Sequence, residues 1–113
     1  MSFTAPGGKK EFLCIIPDKP GTQAKRLEVR PSHIEGLKPL IESGVITCGG
    51  VMLDSHPAEG ETPVFKGSMV TAVAESADAL REILSKDIYT QAGVWDLEKA
   101  QIIPFKTSVR SAL

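Results

Sequence analysis

The apolar residues of this chain change period several times along its length, and the order of those changes restricts the fold more than any other feature. "EFLCIIP" (11–17) is a continuous apolar run closed by proline, which reads as a strand buried on both faces or nearly so. After the turn residues "DKPGT" (18–22), Leu27, Ile34, Leu37, Leu40 and Ile41 recur at helical spacing between Ala24 and Ser43, and Gly44 supplies the stop. Pro31 predicts a kink or a fresh first turn and Pro39 a bend, since proline lacks the helical N–H and costs about 3 kcal/mol in a helix interior. "VITCGGVML" (45–53) is a second strand whose paired glycines predict a bulge or a close backbone approach. "SMVTAVAES" (68–76) is a third strand. Ser76 then starts a helix, "SADALREILSKD", with Leu80, Ile83 and Leu84 on one face, and "LEKAQIIPFK" (97–106) closes the chain as a fourth strand.

The order β-α-β-β-α-β is the split βαβ pattern of an α+β, ferredoxin-like sandwich. It implies a four-stranded antiparallel sheet in the order 4-1-3-2 with two helices on one face. The chain of 113 residues fits one domain: residues 11–106, with flexible tails at 1–10 and 107–113. The other sheet face is left bare and apolar, so the expected particle is a homodimer, or a higher even oligomer, with sheets face to face. Cys14 and Cys48 fall on strands that are not neighbours, so they are expected to be buried, reduced thiols in a cytoplasmic protein. Two lone cysteines do not build a metal site. A formal net charge of -1 speaks against nucleic-acid binding, and no apolar run is long enough to span a membrane. The opening "MSFTAPGGKKE" lacks the apolar stretch of a secretory signal, and the final "SAL" lacks the positive charge of a peroxisomal address. Dinucleotide, P-loop, GxSxG and HExxH patterns are absent, so no cofactor is expected.

The residues that carry chemistry cluster in two places. Arg26, Arg30, His33 and Leu37 share one stripe of the first helix, near the end where its dipole favours an anion. An imidazole, with its ordinary pKa of about 6.5, is the natural acid or base near neutrality, although a single histidine on a helix margin is also an ordinary packed side chain. Asp87 ends the second helix, where a carboxylate is disfavoured by the dipole. Either a cationic or imidazole partner holds it, or it caps the next short turn. Tyr89 and Trp95, the chain's single Tyr and Trp, suit a pocket wall or a core beside a dimer seam equally well. His56 sits in the long loop 54–67, whose length suggests a functional flap.

These pieces together carry a resemblance. "KRLEVRPSHIEGLKPLIESGVI", "FKGSMVTA", "KDIYTQAGVW" and the closing "IIPFK" resemble, in that order and from about Glu11 to Lys106, the YCII-related family of the dimeric α/β-barrel superfamily. The family's Arg-Pro-x-His turn matches Arg30-Pro31-Ser32-His33. Its Asp-Pro-Tyr/Phe segment matches Asp87-Ile88-Tyr89, with Ile88 in place of the usual proline, and Gly49-Gly50-Val51 stands where many members have Gly-Pro. The resemblance implies the dimeric ferredoxin-like fold and makes His33 and Asp87 the catalytic pair. The expected function is cofactor-free lyase or isomerase chemistry on an oxygenated cyclic or aromatic metabolite, with Arg30, Tyr89 and Ser68 binding the substrate. The alternative is a dimer that binds a small metabolite without catalysis.

Overall fold

The computed structural model describes residue 5 and residues 7–111. Readings of residues 1–4, 6, 112 and 113 lie outside the described residues. The elements are β1 (Lys10–Pro17), α1 (Gln23–Glu42), β2 (Ile46–Leu53), β3 (Phe65–Ala74), α2 (Ala77–Ser85), α3 (Ile88–Gln91) and β4 (Gln101–Pro104), with a 3-10 turn at Leu97–Lys99. The strands form one antiparallel sheet in the order β2-β3-β1-β4, the arrangement expected from the sequence. Phe12, Cys14 and Ile16 of β1 and Val70, Ala72 and Ala74 of β3 face the helices and form a single core with Leu80, Leu84, Tyr89, Val94 and Trp95.

Several local expectations are corrected. The first helix runs through both prolines over 20 residues from Gln23, so Pro31 does not open a fresh first turn. The carbonyls orphaned by the missing Pro31 and Pro39 N–H groups belong to Leu27 and Glu35, both exposed residues, where solvent can reach them. The register shifts of β2 fall between Ile46 and Cys48 and between Met52 and Leu53 rather than at the glycine pair. The close backbone approach is at Gly67 instead, where a Cβ would stand 2.3 Å from the Ile16 carbonyl oxygen. The fourth strand shrinks to Gln101–Pro104 because residues 97–99 coil into the 3-10 turn. The third strand starts earlier, at Phe65.

β1 is buried on one face only. Leu13 and Ile15 are half-buried on the other, beside Met69 of β3 and the exposed Ile103 of β4. The chain beyond β4 folds back over one end of this outer face. The Glu11 carboxylate accepts hydrogen bonds from the Thr107 N–H and hydroxyl, so Thr107, assigned to a tail from the sequence, is buried. Cys14 is fully buried, and burial pushes its thiol up to about 11, where it is inert at neutral pH. Cys48 is exposed, contrary to expectation, because β2 is an edge strand. With β3 between their strands, the two cysteines are free.

Candidate active site

His33 reaches the site from the middle of α1, and Asp87 from the joint between α2 and α3. The Asp87 Oδ1 atom accepts a hydrogen bond from the Tyr89 backbone N–H at 2.9 Å, which caps α3, and lies 2.8 Å from His33 Nδ1. The two readings of Asp87 left open by the sequence are therefore both true. A carboxylate oxygen accepts and does not donate, so it selects the tautomer with the proton on Nδ1 and leaves Nε2 as the basic nitrogen. Asp87 is aimed without the family's proline because the α3 cap fixes its rotamer. The side chains of His33 and Asp87 are only 11% and 10% exposed, so little water competes for the contact.

Packing holds the imidazole ring as firmly as the hydrogen bond does. Tyr89 stacks on it with centroids 3.8 Å apart and planes 14° apart, and Trp95 meets it edge-on at 5.6 Å. Tyr89 and Trp95 are thus core residues and walls of the site at once. Burial raises the Tyr89 phenol above its ordinary value, with the Arg26 and Arg30 charges pulling the other way, so it remains a neutral donor near pH 7.

In front of these groups lies a cavity of about 490 Å³ between α1 and the β2–β3 half of the sheet. Its polar end is formed by Arg26, Arg30, His33, Ser68, Tyr89 and Trp95, and its other end by apolar side chains such as Ile34, Leu37, Ile46 and Val70. Arg30 is exposed at the rim and has no hydrogen bond or ion pair among the described residues. The loop 54–64 contributes nothing to the lining, and His56 is exposed within it. This loop is tied to the start of α1 by Gln23, whose amide donates to the Pro63 carbonyl and accepts from the Phe65 N–H. Of the span 54–67 read as a flap, only Phe65 lines the cavity.

At the polar end of the cavity Arg26, Ser68 and Trp95 are joined in one cluster with Asp18, a residue that sequence reasoning passed over. Arg26, one turn before Arg30, is 5% exposed and donates through Nη1 to both oxygens of Asp18, at 2.7 and 2.8 Å. Its Nη2 donates to the Ser68 hydroxyl at 2.6 Å, and its guanidinium lies 4.6 Å from the Tyr89 ring centre. Trp95 Nε1 donates to the same Ser68 oxygen at 3.1 Å. Asp18 is brought here by the backbone pairing of its segment with Trp95 beyond the end of β1. Burial raises the Asp18 carboxyl above its usual range, and Arg26 is the group that pulls it back.

Comparisons with known proteins agree with this architecture. Residues 11–106 match the YCII-related domain. The chain is 41% identical over 98 residues to fusaric acid biosynthesis protein 2 of Gibberella fujikuroi, covering 87% of this chain and 94% of that protein. It is 35% identical over 95 residues to protein YciI of Escherichia coli O6:H1, covering 84% and 95% respectively. Among solved structures it superposes, with a TM-score of 0.70 and 25% identity, on 5-chloro-2-hydroxyhydroquinone dehydrochlorinase (TftG) from Burkholderia phenoliruptrix AC1100 in complex with 2,5-dihydroxybenzoquinone. That superposition covers 84% of this chain and 92% of the other. With a family match across most of the chain and relatives above 30% identity over nearly their full length, this protein belongs to the YCII-related domain family.

Proposed function

We propose that the protein is a small cofactor-independent enzyme that uses His33 and Asp87 for acid–base chemistry on an oxygenated cyclic or aromatic metabolite. The observation that carries this reading is the 2.8 Å contact between His33 Nδ1 and Asp87, with the cavity lying beside the ring. His33 Nε2 takes a proton from the substrate and returns it elsewhere. Asp87 holds the tautomer and balances the imidazolium that forms. Arg30, a cation at the rim with no ion-pair partner among the described residues, attracts the anionic oxygen, while Tyr89 and Ser68 line the head of the pocket. Isomerisation, dehydration, dehydrohalogenation and decarboxylation all need only this kind of proton transfer, because the substrate's own ring oxygens accept the electron pair. The similarity to a dehydrochlorinase that binds a dihydroxyquinone supports the substrate class, and the relative named for fusaric acid biosynthesis supports a place in small-molecule metabolism.

The test is proton exchange. Incubated in deuterium oxide with 5-chloro-2-hydroxyhydroquinone or 2,5-dihydroxybenzoquinone, the protein is expected to release chloride from the first or to wash deuterium into ring positions of either. Tight binding with neither event would favour a metabolite-binding role without catalysis.

The partner in solution is, by the same reading, a second copy of this chain. Leu13, Ile15, Met69 and Ile103 leave an apolar stripe on the sheet face away from the helices, and a matching stripe is its natural cover. Light scattering should give twice the chain mass of 12.1 kDa. A monomer at micromolar concentration would contradict the pairing.

A further inference from the structure

Ser68 is an unusual hydroxyl, because both of its neighbours are groups that only donate. Arginine and the indole N–H have no acceptor capacity, and each directs a hydrogen at the same Ser68 oxygen, at 2.6 and 3.1 Å. A serine oxygen has two lone pairs, and here both are occupied. Its own proton has no acceptor among the described residues, although the residue is only 5% exposed and lines the cavity. A serine normally turns its hydroxyl to suit whatever it meets. This one cannot.

We propose that Ser68 is a dedicated hydrogen-bond donor to a substrate oxygen, with Arg26 as the positioning residue that fixes its polarity. The proposal rests on the acid–base reading of this pocket and deepens it by naming what the ligand must present: a carbonyl, enolate or phenolate oxygen that accepts, not a hydroxyl or amine that must donate. The buried guanidinium behind the serine increases the pull of its proton on such an oxygen, and more so as that oxygen gains charge. Arg26 does this through the serine. Its Nη1 is engaged by Asp18 and its face by Tyr89, so only Nη2 is directed at the serine. Arg30 and Ser68 therefore divide the work at the head of the pocket: Arg30 attracts an anion at the rim, and Ser68 fixes the orientation of one oxygen inside.

The probe is 2,5-dihydroxybenzoquinone, titrated into the wild-type protein, Ser68→Ala, Ser68→Cys, Arg26→Lys and the Ser68→Ala/Arg26→Lys double variant. Ser68→Ala is expected to weaken binding about 10–100-fold, the span of one hydrogen bond to a charged acceptor. Ser68→Cys, which fills the same space with a poorer donor, should fall in between, and it decides the matter if Ser68→Ala does not fold. Arg26→Lys should lose affinity too, while the double variant should bind no worse than Ser68→Ala, since both changes remove the same interaction. The single Trp gives one indole N–H resonance, and it should move when the probe binds to the wild type, since Trp95 lines the cavity and shares the Ser68 oxygen. A folded serine variant that binds the probe within twofold of the wild type would overturn the proposal, as would a wild-type protein that does not bind it. Failure of the acid–base reading shows differently. His33→Asn would then retain proton exchange while the Ser68 effect on binding persisted.

Discussion

Substitution of His33 by asparagine should lower the rate of substrate proton exchange by about 10²–10⁴-fold with little change in folding. Asparagine keeps a polar group near Asp87 but has no nitrogen that can take a proton. The expected small effect on stability follows from the site's construction: the Tyr89 and Trp95 rings that hold the imidazole also belong to the core and keep their other contacts. Asp87→Asn should lower the rate as well, for a different reason. An amide at position 87 can offer N–H to His33 Nδ1 and so stabilise the wrong tautomer, with the proton on Nε2. Because His33 Nδ1 and the Tyr89 N–H meet the same oxygen, that orientation gives up the α3 cap, while the opposite one keeps both bonds but lacks the charge that balances the imidazolium. A lowered exchange rate with an unchanged thermal midpoint in His33→Asn would tie the loss to chemistry. Full exchange in His33→Asn would remove the histidine from the mechanism.

The fold was legible because hydrophobic period is a local property. A run such as "EFLCIIP" and a stripe such as Leu27–Ile34–Leu37 declare strand and helix within their own windows, and the order of such windows selects the topology. Proline was misleading for the same reason. Its cost at positions 31 and 39 is local, whereas what offsets it, solvation of the orphaned carbonyls and packing of Leu37 and Leu40 on the core, is decided by which side of α1 faces the sheet. Cys48 lies inside an apolar run, and only the strand order reveals that β2 is an edge.

The site divides along similar lines. His33 and Asp87, 54 residues apart, were paired through family resemblance, since no spacing rule connects positions so distant. In the Arg26–Asp18–Ser68–Trp95 cluster, Arg26, Ser68 and Trp95 were each singled out, but nothing in the sequence joined them to one another or to Asp18. Arg26 sat on the right helix stripe, but so did Arg30, and sequence does not say which of two arginines one turn apart turns inward. In the fold one is 5% exposed and the other stands at the rim. A chain that buries a guanidinium needs a carboxylate beside it. An acid in the turn after β1 was the available candidate, which is the one clue the sequence offered.

That buried pair should also make Arg26 the most costly charged residue to lose. Arg26→Met is expected to destabilise the protein by about 3–5 kcal/mol at neutral pH, a large part of the 5–15 kcal/mol typical of a domain. The side chains of Arg26 and Asp18 are each 6% exposed, so methionine can fill the space but leaves a carboxylate with no counter-charge. Trp95 Nε1 keeps its bond to Ser68, and the serine proton becomes free to turn toward position 26. The sign of the pH dependence follows from the direction of the Asp18 shift. Burial already raises its carboxyl, and Arg26 is the group that lowers it, so removal of Arg26 raises it further. A folded-state value above the unfolded one means the folded protein holds the proton more tightly. The penalty in Arg26→Met should therefore be full at neutral pH and shrink as the pH falls through the raised value of Asp18. Adding Asp18→Asn to Arg26→Met should recover much of the loss at pH 7, because an amide needs no counter-charge. Chemical denaturation of the two single variants and the double variant, at pH 7 and pH 5, measures each difference. Equal penalties at the two pH values and no recovery in the double variant would mean that the guanidinium acts through packing, not charge.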